Sequence, residues 1–161
     1  ISLVRVEGLR MRVGSKGRYA VIALLDVAGN SSSRPVALAE VAERQQISLS
    51  YLEQLFSMLR RAGLVVSSRG PGGGYRLQRQ AEEITVGEIF RAVEESGNAD
   101  QGQGRDWIGG GHVSAPLWLA LDEHIRDFLE GVTIADVISG KINGKFSDLS
   151  PSRMNGGLSA P

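Results

Sequence analysis

Residues 48–79 read SLSYLEQLFSMLRRAGLVVSSRGPGGGYRLQR. Leu49, Leu52, Leu55, Phe56 and Leu59 recur at intervals of three and four, so they share one face of a helix. Ser48 or Ser50 supplies the opening hydroxyl, Ser50 and Glu53 stand at capping-box spacing, and Gly63 ends the helix. Residues 64–68 (LVVSS) are strand-like, RGPGGG is a turn that no helix crosses, and residues 75–79 alternate as a returning strand. Just upstream, residues 38–44 (LAEVAER) form a short helix with Leu38, Val41 and Ala42 turned inward, and residues 45–47 make the turn. Helix, turn, helix, hairpin is the order of a winged helix-turn-helix. The expected fold class is therefore mainly α with one small β-hairpin.

On the N-terminal side, Ser15 caps a helix whose inward face is Tyr19, Ile22, Ala23, Leu25 and Val27, and residues 29–35 (GNSSSRP) are a loop. On the C-terminal side, Thr85 and Glu88 again have capping-box spacing, before a helix with Val86, Ile89, Phe90 and Val93 facing in. Residues 97–114 are glycine-rich and without periodicity, a loop too long to be mere connection. Pro116 then suits the first turn of a long helix, along which Leu117, Leu121, Ile125, Phe128 and Val132 make a stripe that is either core or a dimer seam. Residues 133–138 form a last short helix. The expected organisation is an N-terminal extension (1–10), a DNA-binding domain (11–96), a sensor-type loop (97–115), a dimerisation region (116–138) and a flexible tail (139–161).

The chain has 161 residues and no cysteine, which excludes disulfides, thiolate metal sites and a cysteine nucleophile. No apolar run is long enough to span a membrane, and Arg5, Glu7 and Arg10 interrupt the N-terminal one, so the expected location is the cytoplasm. A net charge of zero conceals an asymmetry. Ten basic residues face four acidic ones between positions 11 and 80, and three face twelve between 81 and 138. A basic first half suits a polyanion, although a solvated surface with mutually attracting halves accounts for the pattern equally well.

Ser48, Ser50, Tyr51 and Gln54 cluster in the first two turns of the second helix, where hydroxyls and amides reach phosphates or base edges. Gln54 has the geometry for adenine, and Glu53 is either a cap or a specificity residue accepting from a cytosine amine. Arg60 and Arg61 close the helix, as phosphate contacts or as partners of its dipole. Arg69 stands at the tip of the hairpin, which it shares with Arg76 and Arg79. The glycine runs GSKGR and RGPGGGY both lack the Gly-Lys-Ser/Thr ending and the strand–helix flanks of a phosphate-binding loop, so no nucleotide hydrolysis is expected. No nucleophile motif surrounds any serine, and no enzymatic activity is expected. His112, Asp100 and Asp106 form only a weak N/O metal candidate.

The stretches MRVGSKGRYAVIALLDVA, ISLSYLEQLFSMLRRAGLVVSSRGPGGGYRL and TVGEIFRAVEES closely resemble the iron–sulfur cluster assembly regulators (IscR-like winged-helix transcription factors). The likeness runs from Met11 to about Ser96 and resumes along the long helix to about Ile138. It implies a homodimer on double-stranded DNA, with Ser50, Tyr51 and Gln54 toward the major groove and Arg69 in the minor groove. It also implies that the long helix builds the dimer. Such regulators normally hold a [2Fe–2S] cluster on three cysteines and a histidine before that helix. This chain has none of those cysteines, so no family ligand carries over and no cysteine-held cofactor is expected. A regulator answering to a metabolite or partner protein, or an interaction module with a vestigial wing, are the alternatives.

Overall fold

Six helices and one hairpin account for residues 13–94 and 113–142, which the computed structural model describes. Helix α1 (Ser15–Asn30) is a long central rod that buries its small side: Ala20, Ala23, Leu24 and Val27 are fully covered. The expected face was rotated, because Tyr19 and Ile22 are about two-fifths exposed (42% and 40%). Alanines that let neighbouring helices approach closely took the place in the core that the larger side chains were expected to fill. Ser15 is not the cap either: the capping position is Gly14, and the helix continues through Gly29, past the expected loop start.

Helices α2 (Leu38–Gln45) and α3 (Leu49–Arg61) follow as expected. Val41 of α2 and Leu52, Leu55, Phe56 and Leu59 of α3 enter the same core as α1, whereas Leu49 stays 42% exposed. The tight turn between them is made at Gln46, which adopts a left-handed conformation (φ 55°, ψ 43°) without being glycine. Asp26 of α1 ties the pair together. Its buried carboxylate takes Arg44 Nη2 at 2.6 Å, Arg44 Nε at 3.0 Å and Gln45 Nε2 at 2.7 Å. The Arg44 bond holds its pKa below the ordinary aspartate value against the opposing cost of burial, with Gln45 and Asn30 assisting.

Strands β1 (Val65–Ser68) and β2 (Gly74–Leu77), each shorter than expected, pair antiparallel with Val65 opposite Leu77 and Ser68 opposite Gly74. Gly73 N–H donates to the Gly70 carbonyl at 2.9 Å across Pro71 and Gly72, whose φ of +73° requires glycine in a type II turn. Tyr75 also exchanges both backbone bonds with Val36 (2.9 and 2.8 Å), which fastens the wing to the chain ahead of α2. A Cβ on Gly74 would lie 2.4 Å from the Val36 backbone, so that crossing demands a glycine.

Helix α4 (Val86–Glu94) starts with the expected reciprocal box: Thr85 N–H donates to Glu88 and Glu88 N–H to the Thr85 hydroxyl. Its inner side (Ile89, Phe90, Val93) packs on α1. Helix α5 (Ala115–Glu130) is different in kind, since none of its residues is buried. Leu117 is 60% and Leu121 47% exposed, with Leu119 and Phe128 also in solvent and Ile125 half-covered. Val132 does not belong to this stripe. It lies beyond the helix, is 3% exposed, and packs with Val86 and Phe90 while its carbonyl accepts from Val86 N–H at 2.8 Å. Helix α6 (Ile134–Ser139) opens with a Thr133–Asp136 box and delivers Ile134 to the main core.

Candidate nucleic-acid interface

With Leu52, Leu55, Phe56 and Leu59 buried, α3 has one way to face. Ser50, Glu53, Gln54, Ser57 and Arg61 follow one another along the opposite side and line a groove of about 600 Å³. Its other wall includes Lys16 from the first turn of α1, a residue the sequence reading did not single out. The signal was present in the GSKGR run, but nothing in the linear pattern placed it beside α3.

The candidate residues divide by what they already do. Ser48 is the helix cap, its hydroxyl oxygen accepting from Tyr51 N–H at 3.2 Å, so the expected Ser50–Glu53 box is not formed. That leaves Ser50 and Glu53 facing the groove beside Gln54. Tyr51 is half-buried, packed on the core and edge-on to Tyr19 with ring centroids 5.8 Å apart. Burial first, then the charge of Glu94, pushes its phenol pKa up, so it stays a neutral donor. Arg60 is exposed at the end of α3, and Arg61 donates weakly to the Ser57 carbonyl at 3.4 Å.

The cations sort in the same way. Arg34 is committed to Glu40 (2.5 Å), Arg44 to Asp26 (2.6 Å) and Arg79 to Glu88 (2.7 Å). Arg34 and the Ala37 N–H hold Glu40 down to about 2, and α2 starts on that arrangement. Burial resists the charge on Glu88, but the Thr85 N–H and Arg79 keep its pKa below the usual carboxylate range. Among the described residues, Lys16, Arg18, Arg60, Arg61, Arg69 and Arg76 make no ion pair with an acid, and all lie on α1, α3 or the wing. Arg69 stands in the exposed turn between β1 and β2, and Arg76 is exposed on β2. Two of these cations, Lys16 and Arg61, meet in the α3 groove, and Arg69 and Arg76 are exposed on the hairpin.

Asp100, Asp106 and His112 lie outside the described residues. Among the described residues no group of three His, Cys, Asp or Glu could hold a metal ion. No described helix is long and apolar enough to cross a membrane.

Residues 13–140 match the Rrf2 family model, described as an iron-dependent transcriptional regulator. The HTH-type transcriptional regulator IscR of Pectobacterium carotovorum subsp. carotovorum is 53% identical over 133 residues, covering 81% of each chain. Among solved structures, T. potens IscR superposes with a TM-score of 0.65 at 37% identity over 93% of this chain and 95% of its own. CymR of B. subtilis, the global cysteine regulator of that organism, gives 0.66 at 31% identity over 80% of this chain and 97% of its own. A recognition-type helix, an arginine-bearing wing and a family match over residues 13–140 lead to one conclusion: this chain belongs to the Rrf2 family of winged-helix, DNA-binding transcriptional regulators and is not an enzyme.

Proposed function

We propose that this regulator binds a near-palindromic operator as a homodimer, with α3 of each copy in the major groove and Arg69 in the adjacent minor groove. The exposed polar side of α3, carrying Ser50, Glu53 and Gln54 in one groove, is the observation that carries this reading. Gln54 suits an adenine edge, Glu53 selects by accepting from a cytosine amine, and Ser48, Tyr51, Arg60 and Arg61 serve the backbone. Residues 11–96 act as the DNA-binding unit, 97–115 as the sensor-type segment and 116–138 as the pairing region, working in the cytoplasm with the chromosome. The apolar residues of α5, unburied in the single chain, are what a second copy covers. Iron–sulfur cluster assembly genes, or related ones, are the targets that likeness to IscR suggests.

A [2Fe–2S] cluster on three thiolates does not fit this chain, because it has no cysteine to supply them. The protein thus operates in a cluster-free form. A second reading, in which a metabolite or partner protein takes the sensing role, gains support from the likeness to a cysteine regulator.

Affinity for a promoter duplex should fall with salt and exceed affinity for random duplex throughout. Arg69→Ala should cost about 1–3 kcal/mol on the promoter. Equal binding to both duplexes would overturn the reading. Protein prepared without oxygen should be colourless and free of iron and sulfide; a coloured preparation would overturn the cluster-free form.

A further inference from the structure

We propose that Lys16 is a DNA-backbone contact of the α3 groove and that Glu94, the last residue of α4, is the positioning residue that holds it there. This rests on the DNA-binding reading and adds two residues to it.

The first turn of α1 carries Lys16 into the groove beside Ser50, Gln54 and Arg61. That turn has no cap of its own. Gly14 at the capping position has no side chain, and the turn contains no acidic residue. The slot is filled from another helix: Glu94 Oε1 accepts from Gly17 N–H at 2.9 Å. A carboxylate there satisfies an otherwise orphaned donor and complements the positive end of the helix.

The two glycines of GSKGR make the arrangement possible. A Cβ on Gly14 would stand 2.8 Å from Glu94 Oε1, and one on Gly17 would stand 2.4 Å from the Phe90 ring. The run is thus the seat of the end of α4. One turn further along α1, Tyr19 meets Tyr51 of α3 edge-on, so the same short stretch is fixed to both helices. A lysine is a point charge on a flexible stem, and its worth to a phosphate depends on how firmly its backbone is held. Fraying of this turn would let the ammonium leave the groove.

The test measures salt dependence of binding to two probes: a duplex enriched by the wild-type protein from a randomised pool, and random duplex. Lys16→Gln should lower the salt slope by about 1 on both probes and leave their affinity ratio unchanged. Glu94→Ala should lower it equally, and the double variant should fall no further than either alone. Glu94→Gln keeps the acceptor and should keep the wild-type slope. Adding Gly14→Ser to Glu94→Ala restores a cap from the chain itself, in space that the alanine opens, and should restore the slope. Slopes are read well below the melting transition of every variant, so that a lowered slope in a fully folded Glu94→Ala protein reports positioning and not general loss of stability. A wild-type slope for Lys16→Gln overturns the contact. An additive double variant, or no rescue by Gly14→Ser, overturns the role of Glu94. Failure of the broader reading has a different signature, a wild-type protein that does not prefer the enriched duplex.

Discussion

Asp26 is the residue whose chemistry reaches furthest into the fold, because its carboxylate is buried, bidentate with Arg44 and shared with Gln45. Its pKa is lowered in the folded chain, so its contribution is present above the ordinary aspartate value and lost as pH falls through the lowered one. Asp26→Asn should therefore melt lower than wild type at neutral pH, and the two curves should converge as pH falls from the ordinary aspartate value through the lowered one. Parallel curves across that range would show that the charge does not support α1 against α2. No sequence pattern announces this residue: a single acid on an otherwise apolar helix reads as a solvated side chain until Arg44 is brought to it. Ser48 and Ser50 pose a similar problem. Both offer a hydroxyl near the start of α3, and only the actual position of the first turn assigns the cap to one and leaves the other for the groove.

At the level of elements, the hairpin was the most legible part, because glycine and proline constrain a chain by sterics that need no tertiary context. Its closure onto Val36 was not legible, since that bridge joins residues far apart in sequence. Gly74→Ala should destabilise the protein by about 1–3 kcal/mol and weaken DNA binding, the added methyl striking the Val36 backbone. Gly29→Ala is the control: it lies in α1 with nothing within 4 Å of its Cβ position, and should be neutral or stabilising by about 0.5–1 kcal/mol. Thermal unfolding of both variants checks the contrast. Helix α3 was readable because leucines and a phenylalanine at spacings of three and four leave one choice of face. Helix α1 misled because its alanines, valines and isoleucine surround it almost evenly. In the folded chain the Phe90 ring occupies the space where a side chain on Gly17 would stand, a contact that no pattern in the α1 sequence announces.

For the whole molecule, the charge asymmetry seen in the sequence acquires a location. Three arginines of the basic half are spent on Glu40, Asp26 and Glu88, while Arg60 and Arg61 of α3 and Arg69 and Arg76 of the wing pair with no acid among the described residues. At the end of α5, Glu130 makes an ion pair with Arg91 of α4 and accepts from the Thr85 hydroxyl at 3.3 Å. The C-terminal end of α5 is thus anchored to the winged helix, while Leu117 and Leu121 nearer its start remain uncovered. Leu121→Asp should shift the protein from dimer to monomer in sedimentation and weaken operator binding, while leaving the melting of the α1–α4 core close to wild type. A dimer that persists unchanged would place the pairing surface elsewhere. The sequence showed the stripe but could not say whether it closed on the chain itself, and for Val132 it did.

If a second copy covers α5, as proposed, the number of copies in a cell becomes part of the regulatory logic. While most chains are single, the paired species grows with the square of their concentration, so operator occupancy responds more steeply than chain number. Partition at cell division, or a burst of synthesis, would then alter transcription without any effector.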